Sequence, residues 1–192
     1  MVNSMFLKYI LLFFLYSFLG WLMEVVYTFI RERKFVNRGF LKGPYCPIYG
    51  LGCVFLSIVL TNFNKNIFLL FIITFTLCFI LEYMTSLVLE KIFHLRWWDY
   101  SNYKFNINGR VCLETILPFS IIGIIAIKYI NPLLLEFIDS LSKYFLITIS
   151  VVLICLFIFD LVISYDFIAH LKNIRRNTGK DATEVINRKR NE

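Results

Sequence analysis

Five apolar runs, roughly 6–30, 45–61, 67–89, 111–130 and 144–169, occupy most of this chain. A helix needs about 20 apolar residues to cross the hydrocarbon of a bilayer, and most of these runs reach that length. The second is short. It crosses only if its helix starts near Gly43 or if the segment is partly re-entrant. Backbone polar groups in lipid must be satisfied within the segment, so helices are expected throughout. The hydrophobic share is 59% and mean hydropathy is +0.71, which excludes a soluble domain of this length. The expected fold is therefore all-α: a polytopic membrane bundle of about five transmembrane helices over 1–170, followed by a basic tail, 171–192, that frays beyond Thr178.

The distribution of basic residues predicts how such a bundle is oriented. Sixteen of the 20 Lys and Arg fall in the 31–43 loop, the 90–110 loop and the tail, while Lys8, Lys65, Lys128 and Lys143 make up the rest. Cytoplasmic loops carry the excess, so the N-terminus is placed outside and the C-terminus in the cytoplasm. The net charge of +7 follows from this asymmetry. It points to anionic lipid headgroups at the cytoplasmic face as a partner, and not to nucleic acid. The first run is too long for a signal peptide and lacks a small-residue cleavage site before Arg31, so it is read as a span.

Between the first and second spans, Gly39 to Gly52 holds two prolines and four glycines and cannot be regular helix from its start. One reading is a helix N-terminus with Pro47 in its first turn. The other is an entry loop lining a cavity, with Gly43, Pro44, Cys46, Pro47 and Tyr49 at its mouth. Between the third and fourth spans, Trp97, Trp98, Asp99 and Tyr100 precede Asn106, Asn108 and Arg110. An aromatic belt explains the tryptophans, but the polar groups among them indicate a folded cap over the cytoplasmic mouth, with Asn108-Gly109 as a turn. Asn131 to Lys143 is expected as a short interfacial helix, and Thr61 to Asn66 as a tight turn.

Three carboxylates, Glu24, Glu82 and Asp160, lie deep in separate runs, and no Lys or Arg sits at comparable depth. A buried acid in a membrane is costly and is usually retained for a partner, a proton or a ligand. Helical rise puts them about 10, 13 and 18 Å inside the basic edge, so they overlap in depth. Glu82, Ser86 and Glu90 recur at helical spacing on one face, as do Asp160 and Ser164, while Gly20, Trp21 and Glu24 form a small–aromatic–acid face. Each acid would otherwise bond a neighbouring Tyr, Ser or carbonyl while protonated, or be neutralised by Arg38, Lys42 or Arg110 reaching inward. Failing that, the cluster takes a cation or relays protons. Candidate binding residues are Glu24, Glu82, Glu90, Glu114, Asp160, Trp21 and Tyr83, of which Asp160 is the most plausible packing residue.

Other site chemistry is weak. His94 and His170 lie in different segments, which argues against zinc. No phosphate-binding G-x-x-x-x-G-K-[ST] motif occurs, so no ATP hydrolysis by a P-loop is expected, and no nucleophile elbow or cofactor motif is present. The five cysteines lack C-x-x-C spacing and read as small apolar fillers. Gly50-Leu51-Gly52 reads as helix packing.

Several segments resemble the CmpB-type family of small bacterial membrane proteins, often described as type IV ABC-transporter components. The residues concerned are Trp21 and Glu24, the run Gly43 to Gly52, Leu81-Glu82-Tyr83, Leu89-Glu90, Trp97-Trp98-Asp99-Tyr100-Ser101 and Asn106-Ile107-Asn108-Gly109-Arg110. They extend from the first span into the fourth, and residues beyond carry none of the resemblance. It implies a multi-pass protein of the bacterial cytoplasmic membrane with a transport role, working as an oligomer or with a separate ATPase or transporter subunit.

The leading expectation is thus a membrane transport component with a carboxylate-lined cavity open to the cytoplasm. A second is a membrane enzyme acting on lipid headgroups, with Glu90, Asp99 and Glu114 as acid–base groups and Arg110 on phosphate. A third is a structural or regulatory partner whose acids only fix helix packing.

Overall fold

The computed structural model describes residues 4–60, 66–94 and 96–178. Its elements are α1 (Ser4–Glu32), α2 (Pro47–Leu60), α3 (Ile67–Phe93), a hairpin of β1 (Asn106–Ile107) and β2 (Val111–Cys112), α4 (Leu113–Ile125), α5 (Asn131–Ser140) and α6 (Lys143–Thr178). Four stretches are long and apolar enough to span a bilayer: Met5–Glu32, Ile67–Phe93, Leu113–Ser140 and Lys143–Ile168. The tail beyond Thr178 and the turn at 61–65 lie outside the described residues.

The second run does not make a full span. α2 has 14 residues, about 21 Å of helix against some 30 Å of hydrocarbon. The missing length is irregular chain that descends into the bundle. Leu41 and Cys46 are buried, and the Cys46 N–H donates to the carbonyl of Ser17, near the middle of α1. The first of the two readings of this segment fits the helix start. Pro47 opens α2, as the first-turn reading requires, but the helix starts deep in the bundle, at the end of a re-entrant loop.

Glycine makes that docking possible. A Cβ on Gly50 would lie 2.2 Å from Ser17 Oγ and 2.4 Å from the Phe13 carbonyl oxygen, and one on Gly20 would lie 2.3 Å from the Tyr49 ring. Small residues facing each other let two apolar helices approach where no hydrophobic drive separates them from lipid. The reading of Gly50 as a packing residue holds.

The fourth run differs from expectation. Instead of ending near 130 with a separate interfacial helix, it continues through a π-helical turn, Ala126–Ile130, directly into α5. The π turn loosens the backbone ladder, and the Tyr16 hydroxyl donates to the carbonyl of Ala126 at 3.3 Å and to Asn131 Oδ1 at 3.4 Å. Asn131 Nδ2 in turn donates to Ser57 Oγ at 3.0 Å. α5 packs through fully buried Ile138 into a cluster with Leu7, Leu11, Leu12 and Leu146, and Lys8 pairs with Asp139. Contact with α1 and α6 gives its apolar side a better home than an isolated surface position.

The opposite end gathers the basic loops. Phe40 from the first loop, Phe93 and Leu89 from α3, Trp97 after it, and Phe167 and Ile168 from α6 form one aromatic cluster. The 96–112 segment is folded, as expected of a cap, although its hairpin was not foreseen. Asn108 and Gly109 both take positive φ, +55° and +67°, at its turn, where Gly is free of the Cβ penalty and Asn is the most tolerant alternative. Trp98 Nε1 donates to the Arg110 carbonyl at 2.8 Å, and the Tyr100 N–H to that of Gly109 at 2.8 Å.

Candidate functional site

The intramembrane acids separate into two groups. Glu24 and Glu82 interact electrostatically with each other and both with the Tyr49 phenol. Tyr49 Oη donates to Glu24 Oε1 at 2.5 Å. This contact follows from local sequence. Gly20 leaves room for the Tyr49 ring one turn before Glu24, and the phenol then reaches the carboxylate. Glu82 is 8% exposed. The Tyr100 phenol, brought in by the cap, interacts with its carboxylate and with Thr115. Glu82 Oε2 is nonetheless buried without a hydrogen-bond partner. Burial and then the Glu82 charge hold the Tyr100 hydroxyl well above the ordinary phenol range, which keeps it a donor.

Asp160 belongs elsewhere. Its Oδ2 accepts from the Gly43 N–H at 2.9 Å and from Tyr45 Oη at 2.7 Å, and its Oδ1 from Ser164 Oγ at 3.2 Å. Ser164 Oγ also accepts from the Lys42 N–H at 3.0 Å. These bonds satisfy the N–H groups of the re-entrant loop. Irregular backbone at membrane depth is tolerated only where protein or water takes up its polar groups. The overlap in depth therefore did not translate into one cluster. Helical rise fixes height but not which face meets which neighbour, and the loop reached Asp160 first.

A third group lies at the basic end. Arg110 pairs with Glu90 Oε2 at 2.5 Å through Nη2, donates from Nη1 to Ser86 Oγ at 3.3 Å, and stacks over Tyr83. Arg96 Nε donates to Glu90 Oε1 at 3.2 Å and its Nη1 lies 3.5 Å from Asp99 Oδ1. Asp99 accepts from both the hydroxyl and the N–H of Ser101, and these bonds, with Arg96, hold its carboxyl below the usual carboxylate range. Asn108 Nδ2 donates to Tyr83 Oη at 3.0 Å, and Asn106 Oδ1 accepts from the Gly109 N–H. Tyr83 and Asn108 thus tie the cap to α3, while Asn106 braces the turn within it.

The cations expected to reach the acids bind other groups. Arg110 is taken by Glu90 and Ser86. Arg38 Nε donates to Thr28 Oγ1 at 2.8 Å, and Lys42 lies over the Phe167 ring. Trp21 anchors the first loop through Nε1 to Asn37 Oδ1 at 2.6 Å. Glu114 lies exposed in the first turn of α4, apart from the others. Pro44 is exposed and Trp97 packs in the aromatic cluster. Two surface grooves, of about 310 and 440 Å³, are lined chiefly by apolar residues, and neither is lined by an acid.

The polar trio of Tyr16, Ser57 and Asn131 was missed. Tyr45, the partner of Asp160, lies in the Gly43 to Gly52 run without any mark of that role. An aromatic or a serine in an apolar run gives no sign of its partner until helices are placed.

These features define a multi-pass α-helical membrane protein with a half-length second helix, beside which the buried Glu82 and the half-buried Glu24 interact. The sequence model of one family, described as "Putative ABC-transporter type IV" (CmpB), matches residues 11–165. The chain belongs to that family. The match runs well into α6 and includes Asp160, further than the motifs alone had carried the resemblance. No curated protein and no solved structure matches the chain.

Proposed function

We propose that this protein is a transport component of the bacterial cytoplasmic membrane, a permease or substrate-binding membrane subunit. Its N-terminus lies outside and its basic end faces the cytoplasm and anionic headgroups. Glu24 and Glu82 take a cation or protons in a cavity that opens toward that side when the cap moves, and Tyr49 and Tyr100 close on them. An oligomer or a separate ATPase subunit completes the machine, since the chain has no P-loop.

One observation carries this reading. α2 is a half-length helix entering through glycine- and proline-rich chain, and it delivers Tyr49 to an acid that pairs with no basic residue among the described ones. Interrupted helices beside charged groups are the arrangement from which many transporters build midplane sites. The lipid-enzyme reading has less support, because its phosphate ligand Arg110 is engaged by Glu90 and Ser86 and Glu114 stands apart. Asp160 favours the purely structural reading, but only for itself.

Proteoliposomes holding the full chain, with any ATPase that co-purifies from its own membrane, provide the test. Under an imposed pH or sodium gradient, wild type should dissipate the gradient faster than the Glu24→Gln/Glu82→Gln double variant. Equal rates for wild type, double variant and empty vesicles overturn the proposal.

A further inference from the structure

Glu82 is more than nine-tenths buried and its Oε2 has no hydrogen-bond partner. Its neighbours can be taken element by element. α1 presents Glu24, and α2 presents Tyr49, with Cys46 just before it. On α3 itself, one turn away, stands Cys78, which faces Ser120 of α4. The cap contributes Tyr100, with Cys112 beyond it. From α6, Asp160 is occupied by the re-entrant loop. Arg110 is held by Ser86 and Glu90, one and two turns along α3 toward the basic end. Among the described residues, the titratable groups that interact with Glu82 are therefore an acid, phenols and a thiol.

Two carboxylates brought together with no cation between them favour taking up a proton or a cation. Their inequality decides which acid carries a proton. Glu24 already accepts a short bond from the Tyr49 hydroxyl. Glu82 has an oxygen with no donor. A divalent metal fits poorly, since among the described residues no group of three or more His, Cys, Asp or Glu could hold one. We propose that Glu24 and Glu82 hold a single exchangeable proton, carried on Glu82, and that the ligand of this centre is the proton and not a metal cation. The proposal rests on the acid centre assigned above and narrows its ligand. Release delivers the proton past Tyr100 toward the cap, and uptake reverses it, leaving no other bond changed.

Dicyclohexylcarbodiimide, which modifies protonated carboxyl groups in apolar surroundings, tests this on the full chain in detergent, with the modified peptide mapped by mass spectrometry. Label should fall on Glu82, decline as pH rises, and be unchanged by sodium or potassium chloride. In Glu24→Gln, removal of the like charge should move the midpoint of that decline to lower pH. Label on neither acid, or on Glu24 alone, overturns the proposal, and so does protection by sodium at constant pH. Infrared titration of wild type adds a readout that needs no variant: a protonated-carboxyl stretch should disappear with the same midpoint, and its absence overturns the proposal. A titrating Glu82 in vesicles that show no flux sinks only the transport reading. Flux without the proton sinks only this inference.

Discussion

Asp160 and Glu82 are two acids on apolar helices, yet their surroundings are opposites. Asp160 accepts from a backbone N–H, a phenol and a serine; the first two bonds secure the loop that leads into α2, and the serine in turn takes the Lys42 N–H of that loop. Glu82 takes up the Tyr100 phenol of the cap, keeps one oxygen without a partner and faces a second acid. Depth in an apolar helix alone therefore does not mark a site. An acid whose acceptor capacity is filled by the fold is accounted for by the fold. One whose capacity is left open has a cost that the fold does not explain.

The largest effect should come from the contact that makes both environments possible. Gly50→Val places a branched side chain against the Phe13 carbonyl and Ser17, and overpacking on this scale should cost about 3 kcal/mol. Thermal unfolding in detergent would show it. A variant as stable as wild type would mean that α1 and α2 do not depend on this approach.

Next in size is Asp160→Ala, which leaves the Gly43 N–H and the Tyr45 hydroxyl without their acceptor. A loss of about 2 kcal/mol is expected, together with faster proteolytic cleavage between residues 37 and 46. Unchanged stability and cleavage would remove the distinction between the two acids. Glu82→Gln should behave differently, staying within about 1 kcal/mol of wild type at neutral pH because it replaces a group with no bond at Oε2. If it destabilises as much as Asp160→Ala, Glu82 is a packing residue as well.

The smallest effect concerns Asp99. Its folded carboxyl titrates below the usual range, chiefly through Ser101. Its stabilisation is therefore present above the unfolded pKa and disappears as pH falls through the folded one. The group is half exposed, so solvent screens most of this contribution. Melting temperatures of wild type and Asp99→Asn should differ slightly at neutral pH and converge in acid. A gap that widens in acid would contradict the assignment.

Much of the fold was legible because the signals are local. Run length and hydropathy fix helices, Asn108-Gly109 fixes a turn, and the 14-residue second helix was already suspect from its glycines and prolines. The site was legible only in part. Glu24 and Glu82 were named as acids lacking a basic neighbour at their depth, and Tyr49 as part of an entry loop. That Tyr49 reaches Glu24 while Tyr45 reaches Asp160 depends on how far the loop descends. No residue in the loop encodes that distance.

By itself, then, the sequence determined the membrane solvent, the apolar lengths, the grouping of basic loops and the depth of each acid, all of which follow from composition along one helix axis. Only the tertiary structure decided which acids meet. Rotation of each helix about its own axis, and the register at which Gly20 and Gly50 let α1 and α2 close, are set by packing between segments distant in sequence. That packing joins Glu24 to Glu82 and gives Asp160 to the loop.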